Sequence, residues 1–391
     1  MRLLFLAPAP PSNCHGGGAL RMLHLVRFLG ERFEVDLIAP ALDGLQEAER
    51  LLGDVCAEME FVPIQRSSWL SRISRVSPYP TDPAMVEAVH RRIGAGRYHA
   101  IQVEKPAMLP YLPNDCQVPI VLDLWAYGLN GPWRAVKHEQ GGFARARNVV
   151  RLARFGLFDA FCWPSLHSLL VVSQDDLMRS ERARHRRPTI VVPNGVDCST
   201  VTAKTAYEAS KPVLLFTGDM SFQPNIDAAL FLAGEIFPRI QREYPGVELR
   251  FVGRNPDPRI QALARPGVVV AGAVPNMLPH LHEATVYLAP HFTGAGTRTK
   301  LLEAMAAGLP IVTTTVGIEG IEVEAGRDLL LADTSEDMVK SLLTLLGSVD
   351  DRRRLGLAAR RLAEARYDWN YCLAPLESVY RELVSPEALA C

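Results

Sequence analysis

The sequence predicts an α/β fold: two facing, doubly wound Rossmann-like domains with a cleft between them. Three observations carry this. The chain has 391 residues, too many for one ordinary hydrophobic core. Short apolar runs alternate with stretches of helical periodicity, the pattern of buried parallel strands joined by helices. One polar, aperiodic stretch, VVPNGVDCSTVTAKTAYEASKP, interrupts that alternation near the middle.

The elements follow in order. Residues 3–7 form a short apolar run, followed by a loop and the periodic segment ALRMLHLVRFLGERF. Further strands are expected at 34–38, 100–103, 120–123 and 169–172, each short, apolar and followed by polar or turn residues. A second series starts at Val213: VLLFTG, then the helical NIDAALFLAGEIFPRI, then VELRFVG, VVVAGA, VYLAPH, PIVTTT and DLLLAD. Asn194-Gly195 between the two series reads as a turn signal. The first domain is expected over 1–197 and the second over 198–365. Residues 366–391 are expected as a C-terminal helix that packs back on the first domain.

Composition excludes several classes. The chain is 48% hydrophobic and 22% charged, with net charge −1, so no global field points to nucleic acid. Its seven cysteines are scattered, without a C-x-x-C pair, which suits a reducing cytoplasm rather than a disulfide scaffold or structural zinc. No apolar run approaches the ~20 residues of a membrane span. The apolar start MRLLFLAP breaks at proline too early for a signal peptide. No D-x-D or H-E-x-x-H occurs, so no metal is expected.

Ligands of doubly wound sheets sit beyond the carboxyl ends of the strands, so the loops after strands are where chemistry is expected. The first is PSNCHGGGALRML, where Gly16, Gly17 and Gly18 precede a helix. Glycines let backbone N–H groups approach a ligand, and a helix N-terminus favours anions; the alternative is a flexible loop. The motif is neither G-x-G-x-x-G nor a Walker A loop. The second is HFTGAGTRTKLLEAMAAGLPIVTTT, residues 291–315, between two buried strands. Arg298 and Lys300 stand at the start of a helix, where cations oppose the dipole. That placement suits a diphosphate between them. Glu303, five residues after Arg298, can accept two hydroxyl hydrogen bonds from a ribose diol. The alternative is a surface ion pair of little worth. The third is VLDLWAYGLNGPW. Asp123 ends its strand and is placed to hydrogen-bond the sugar or the acceptor nucleophile, or else to cap a helix. Trp125 and Tyr127 follow it, and Glu104 ends the strand AIQV in the same way. All three are candidates for the acceptor. His15 and His138 read as structural.

GTRTKLLEAMAAGLPIVTT resembles the donor-binding signature of glycosyltransferase family 4 (glycosyl transferases group 1), retaining enzymes of the GT-B fold. VVPNGVD resembles the end of that family's first domain, TGDMSFQPNIDAA the opening of its second, and FVGRNP a Gly-Arg turn beyond a later strand. The resemblance covers most of the chain and is strongest over 194–333. It implies that Glu303 binds the nucleotide ribose, that Arg298 and Lys300 lie near the diphosphate, that Gly17 and Gly18 line the donor side, and that Arg254 and Asn255 lie near the base. The chain departs from the family's E-x7-E motif: Ala295 stands where its first glutamate would. Backbone N–H groups of Gly294, Ala295, Gly296 and Thr297 would take over its contact with the sugar. Asn225 stands where many members carry a phosphate-binding cation, which puts more of that charge on Arg298 and Lys300.

The implied activity is transfer of a sugar from a nucleotide sugar, with uridine the commonest base of the family, to an acceptor hydroxyl or amine. No cofactor is implied beyond that substrate. Asp123, Arg298 and Lys300 are the catalytic candidates, with fixed cations stabilising the leaving diphosphate. The acceptor is open between a glycan, a lipid-linked glycan and a small natural product. Two alternatives stay open, a nucleotide-sugar epimerase of the same plan and a non-catalytic nucleotide-sugar-binding protein. The basic segment 143–187 reads either as a solvated helix face or as a peripheral contact with the inner face of a membrane.

Overall fold

The computed structural model describes residues 1–13, 16–64, 79, 81–125, 142–161, 166–182, 188–293 and 296–383. Contacts divide the chain into two compact units, Met1–Pro193 with Leu373–Cys391, and Asn194–Cys372. The division therefore falls four residues before the boundary read from sequence, and the chain end from Leu373 belongs to the first unit.

The first unit is built on seven parallel strands: β1 (Arg2–Leu6), β2 (Glu34–Pro40), β3 (Glu58–Val62), β4 (Ala100–Glu104), β5 (Ile120–Leu124), β6 (Ser168–Val171) and β7 (Thr189–Val191). Their order is β3-β2-β1-β4-β5-β6-β7. Every residue of β4 and β5 is buried, so these strands carry no alternation of apolar and polar residues. The polar members of this buried set, Gln102, Glu104 and Asp123, must find partners inside the protein. At the other end of the chain Tyr380 is buried in the same unit, its ring 5.9 Å from that of Phe33.

Two of these strands were not expected from sequence, and both lie at the sheet edges. In β3 (EMEFV), Glu58 and Glu60 break up the apolar run and instead bind arginines: Arg97 holds Glu58 through two 2.9 Å contacts and Arg92 holds Glu60 at 2.7 Å. β7 is only three residues long. Short, charged edge strands are how sheets avoid pairing with other chains, and the same features hide them from a search for apolar runs.

The second unit has six parallel strands: β8 (Val213–Thr217), β9 (Glu248–Val252), β10 (Val268–Gly272), β11 (Val286–Ala289), β12 (Ile311–Thr313) and β13 (Leu330–Leu331). Their order is β10-β9-β8-β11-β12-β13. Apolar layers cover both faces. Leu214 and Phe216 pack with Ile226, Ala229 and Leu342, while Leu215 packs with Tyr287, Leu301 and Met305 on the other side.

In each sheet the strand order reverses once, between β1 and β4 and between β8 and β11. The crevice beyond the carboxyl ends of two such strands is where doubly wound sheets take ligands.

Candidate functional site

At the β8/β11 switch point, β11 runs through Pro290 into His291, and the chain enters the helix Thr299–Ala306 with Arg298 at its N-cap. Leu301, Leu302, Ala304, Met305 and Ala306 bury one side of that helix in the core. Lys300 and Glu303, three residues apart, share the other side and are half-buried.

Lys300 reaches back to the end of β8. Its ammonium donates to Thr217 O at 2.9 Å and to Asn225 Oδ1 at 2.7 Å, and lies 4.3 Å from the centre of the Phe216 ring. The ammonium thus occupies the neighbourhood of Asn225, the very position whose own side chain carries no charge. Asn225 is itself fixed, its Nδ2 donating to Asp219 O at 2.7 Å. The fully buried His291 ring lies with Nε2 3.0 Å from Asn225 Oδ1. Burial, Lys300 and Arg298 push the His291 pKa down to about 2, so the imidazole is neutral. Its other nitrogen, Nδ1, lies 3.1 Å from Ala289 O, so both ring nitrogens face oxygens and the single N–H serves one of them.

The electrostatics of this corner are unbalanced toward positive charge. Burial first, then the nearby Arg298, holds the Lys300 pKa well below the usual lysine range, against an opposing pull from Glu303. Burial pushes Glu303 up to about 7, with Lys300 holding it back. Among the described residues no ion pair ties Glu303 to Lys300, so the surface-pair alternative does not describe this carboxylate. Arg298 folds over its own loop, donating to Gly296 O and, at 3.3 Å, to Thr293 O. A bound dianion here would relieve the repulsion between Arg298 and Lys300.

The loops after β8 and β9 are stitched together beside this corner. Arg254 Nε donates to Asp219 Oδ2 at 2.9 Å, and Met220 N to Arg254 O at 2.8 Å. Gly253 has φ 159, and a Cβ there would stand 1.7 Å from Gly218 O, so only glycine allows the approach. Asn255 sits in the left-handed region at φ 52, which asparagine tolerates better than most residues.

At the β1/β4 switch point the first unit holds a buried polar network. Arg21, on the helix Gly17–Gly30, binds Asp123 with both arms of its guanidinium, Nε to Oδ2 at 2.7 Å and Nη2 to Oδ1 at 2.9 Å. Its third nitrogen donates to Pro193 O at 3.1 Å. Arg21 is 1% exposed and Asp123 0%, so this pair is sealed from water. Beside it, Glu104 Oε1 accepts from Gln102 Nε2 at 2.9 Å and Oε2 from Trp125 Nε1 at 3.0 Å. Tyr380 donates its hydroxyl proton to Gln102 Oε1. Burial, then the neighbouring Asp123, raises Glu104 well above the ordinary carboxylate range. A Cβ on Gly18 would fall 1.7 Å from Cζ3 of Trp125, so the helix start rests directly on the indole.

The profile of the glycosyl transferases group 1 matches residues 211–348. Phosphatidyl-myo-inositol mannosyltransferase of Mycolicibacterium smegmatis is 24% identical over 384 residues, covering 93% of this chain and 90% of the relative. Spore coat protein SA of Bacillus subtilis is 36% identical over 83 residues, 20% of this chain and 22% of that protein. The match to the glycosyl transferases group 1 thus spans about a third of the chain, all of it within the second unit. Sucrose-phosphate synthase from Thermosynechococcus elongatus superposes with TM-score 0.74 at 16% identity, over 98% of this chain and 99% of that one. HepE of Anabaena, solved with UDP-glucose, superposes with TM-score 0.68 at 17% identity, over 98% and 100%. These likenesses give the GT-B fold. The protein is a glycosyltransferase that draws on a nucleotide-sugar donor.

The structure of this glycosyltransferase gathers Lys300, Glu303, Arg298, Gly296 and Thr297 into one corner, and places Arg254 and Asn255 on the adjoining loop of the same unit. Asp123, Glu104, Trp125, Gly17 and Gly18 meet at the end of the other sheet. Gly294, Ala295, Tyr127, His15 and His138 lie outside the described residues. Two expected roles are redrawn by what surrounds the residues. Both oxygens of Asp123 are engaged by Arg21, and the open side of Gly18 is filled by Trp125. Two residues were missed, Arg21 and His291, and Asn225 was read only as the place of an absent cation. Arg21 carries a sequence signal, a charge at position i on a helix face whose i+4 member, Leu25, is buried. His291 offers only the weaker one of a polar residue just beyond a strand end, and Asn225 lies on the helix Gln223–Phe231, eight residues after β8.

Among the described residues no helix is long and apolar enough to cross a membrane. The helix Gly142–Phe161 from the basic segment leaves Val149, Val150 and Leu157 exposed, with Arg145 and Arg147 exposed beside them.

Proposed function

We propose that this glycosyltransferase moves a hexose from a UDP-sugar to an acceptor hydroxyl or amine, with retention of configuration and without a metal ion. The residues of the β11 loop and the following helix are read as the donor site: Glu303 on the ribose hydroxyls, Arg298 and Lys300 on the diphosphate, and Arg254 and Asn255 beside the base. The observation that carries this reading is the half-buried Lys300 ammonium, set at the switch point with a second cation near it and, among the described residues, no carboxylate paired to it. The complex of HepE with UDP-glucose supports uridine as the base.

In the reaction the bond from the anomeric carbon to the diphosphate breaks and a bond from that carbon to the acceptor oxygen forms on the same face. The acceptor proton passes to the departing phosphate oxygen. Charge develops on the diphosphate as the bond lengthens, and fixed cations already in place stabilise it without reorganising. Backbone N–H groups of 294–297 are assigned to the sugar, where Ala295 offers no carboxylate.

The span 198–365 is assigned to the donor and 1–197 to the acceptor, with 366–391 completing the acceptor side. Asp123 is then a positioning residue acting through Arg21, while Glu104 and Trp125 are assigned to the acceptor, as is Tyr127 from the sequence alone. A glycan or lipid-linked glycan suits the exposed Val149, Val150 and Leu157 with their flanking arginines, a pattern that favours an anionic membrane surface. The experiment is a UDP-release assay with UDP-glucose, UDP-galactose and UDP-mannose against a panel of glycan and lipid-linked acceptors, run with and without a chelator. Acceptor-dependent release untouched by the chelator is the expected result. Donor conversion to an epimer without any acceptor would overturn it.

A further inference from the structure

Lys105 follows β4 directly and departs from what its sequence context prescribes. It precedes Pro106, a position that favours extended backbone at negative φ, yet its φ is 71. Among the described residues only Lys105 and Asn255 have positive φ without being glycine, and lysine, unlike asparagine, has no local hydrogen bond to ease that conformation. The backbone is held there by Lys105 N donating to Asp123 O at 3.0 Å and by Met108 N donating to Lys105 O at 3.0 Å. The result is an ammonium 3.5 Å from the centre of the Trp125 ring.

No oxygen accepts from that ammonium among the described residues. The nearest carboxylates are already engaged: Glu104 by Gln102 and Trp125, and Asp123 by Arg21. Arg21 neutralises Asp123, burial pushes Glu104 up and Lys105 down, and no carboxylate oxygen among the described residues accepts from the ammonium. An indole face alone does not call for a charged side chain, since the same stem ending in a thioether would cover it. A strained backbone that delivers a partly buried, unpaired cation to a sheet's switch point points to a ligand.

We propose that Lys105 is the anion-recognising residue of the acceptor side, its ammonium over Trp125 receiving a phosphate or carboxylate oxygen of the acceptor. This rests on assigning the first unit to the acceptor. The acceptor is then an anionic molecule, and Lys105 selects it over a neutral sugar.

The test uses the full-length protein and inorganic phosphate as probe. Lysines are acetylated in a brief pulse and read peptide by peptide by mass spectrometry, in phosphate and in chloride of equal ionic strength. Peptide-level reading separates Lys105 from Lys300, where phosphate is also expected. Phosphate should protect Lys105 while exposed Lys211 reacts equally in both salts. Lys105→Gly removes the ammonium and accepts the left-handed backbone, so it should fold at least as well as wild type. It should weaken phosphate binding at the first unit by roughly tenfold or more. Equal labelling of Lys105 in phosphate and chloride would overturn the proposal, and so would unchanged phosphate binding in well-folded Lys105→Gly. Repeating the protection with glucose 1-phosphate and with phosphatidylglycerol vesicles separates a soluble phosphorylated acceptor from a lipid headgroup. Binding of UDP to wild type and to Lys105→Gly is measured in parallel. Its loss in both would sink the donor assignment and leave the Lys105 result standing.

Discussion

Replacing Arg21 by methionine tests how much the sealed Arg21–Asp123 pair contributes to the first unit. Methionine keeps the length and apolar stem of the arginine and removes its charge. The pair is sealed at 1% and 0% exposure, with contacts of 2.7 and 2.9 Å. At an effective dielectric of 20 and about 4 Å between charge centres, the attraction is about 4 kcal/mol. Breaking a buried pair from one side costs about 3–5 kcal/mol, because the remaining charge is stranded. Loss of the bond to Pro193 O adds about 1 kcal/mol. The first unit should therefore lose about 4–6 kcal/mol, a drop of roughly 8–24 °C at about 2–4 °C per kcal/mol for a domain of this size. Differential scanning calorimetry of the two unfolding transitions is the assay. The double variant Arg21→Met/Asp123→Leu should recover much of the loss, since no charge is then stranded. A loss below about 1 kcal/mol for Arg21→Met would refute the reasoning, because a buried pair cannot be broken that cheaply.

Three further outcomes are expected. Glu303→Gln should stabilise the second unit at pH 8 and leave it unchanged near pH 4. The folded protein raises the Glu303 pKa from 4.5 to about 7, so folding favours the protonated form and wild-type stability falls as pH rises across that window, by up to about 3 kcal/mol; urea unfolding at the two pH values checks it. Asn225→Ala should weaken UDP binding by roughly tenfold, because Lys300 loses the acceptor at 2.7 Å that aims it, with calorimetric titration as readout. Gly18→Ala should cost about 1–3 kcal/mol in the first unit and shift tryptophan emission, since the added methyl falls 1.7 Å from Trp125.

Much of the fold was legible because buried parallel strands announce themselves. VLLFT and AIQVE are short apolar runs ended by a polar residue, IVLDL carries its aspartate one place before the end, and each became a strand. What escaped was β3, whose glutamates bind arginines from distant parts of the chain, and β7, too short to show a pattern. The Asn194-Gly195 pair was misread in kind: a Cβ on Gly195 would meet the Trp369 ring at 2.7 Å, so the glycine serves packing. At the β8/β11 switch point, the placement of Lys300 and Glu303 on one side of the helix was legible from helix spacing and charge placement. That Lys300 would reach Thr217 and Asn225, 83 and 75 residues earlier, was not, because nothing local in the sequence records which strand lies alongside. Arg21 was hidden for the same reason, its partner Asp123 standing 102 residues away.

The most direct measurement is titration of UDP, GDP and TDP into wild type, Glu303→Ala and Arg298→Ala. Each variant loses a charge-assisted contact worth about 1.5–3 kcal/mol, so affinity for the cognate nucleotide should fall by roughly tenfold or more in both. One nucleotide, UDP, should bind wild type, with both variants weakened. Binding of no nucleotide, or equal binding by wild type and both variants, would contradict the donor assignment on which the account stands.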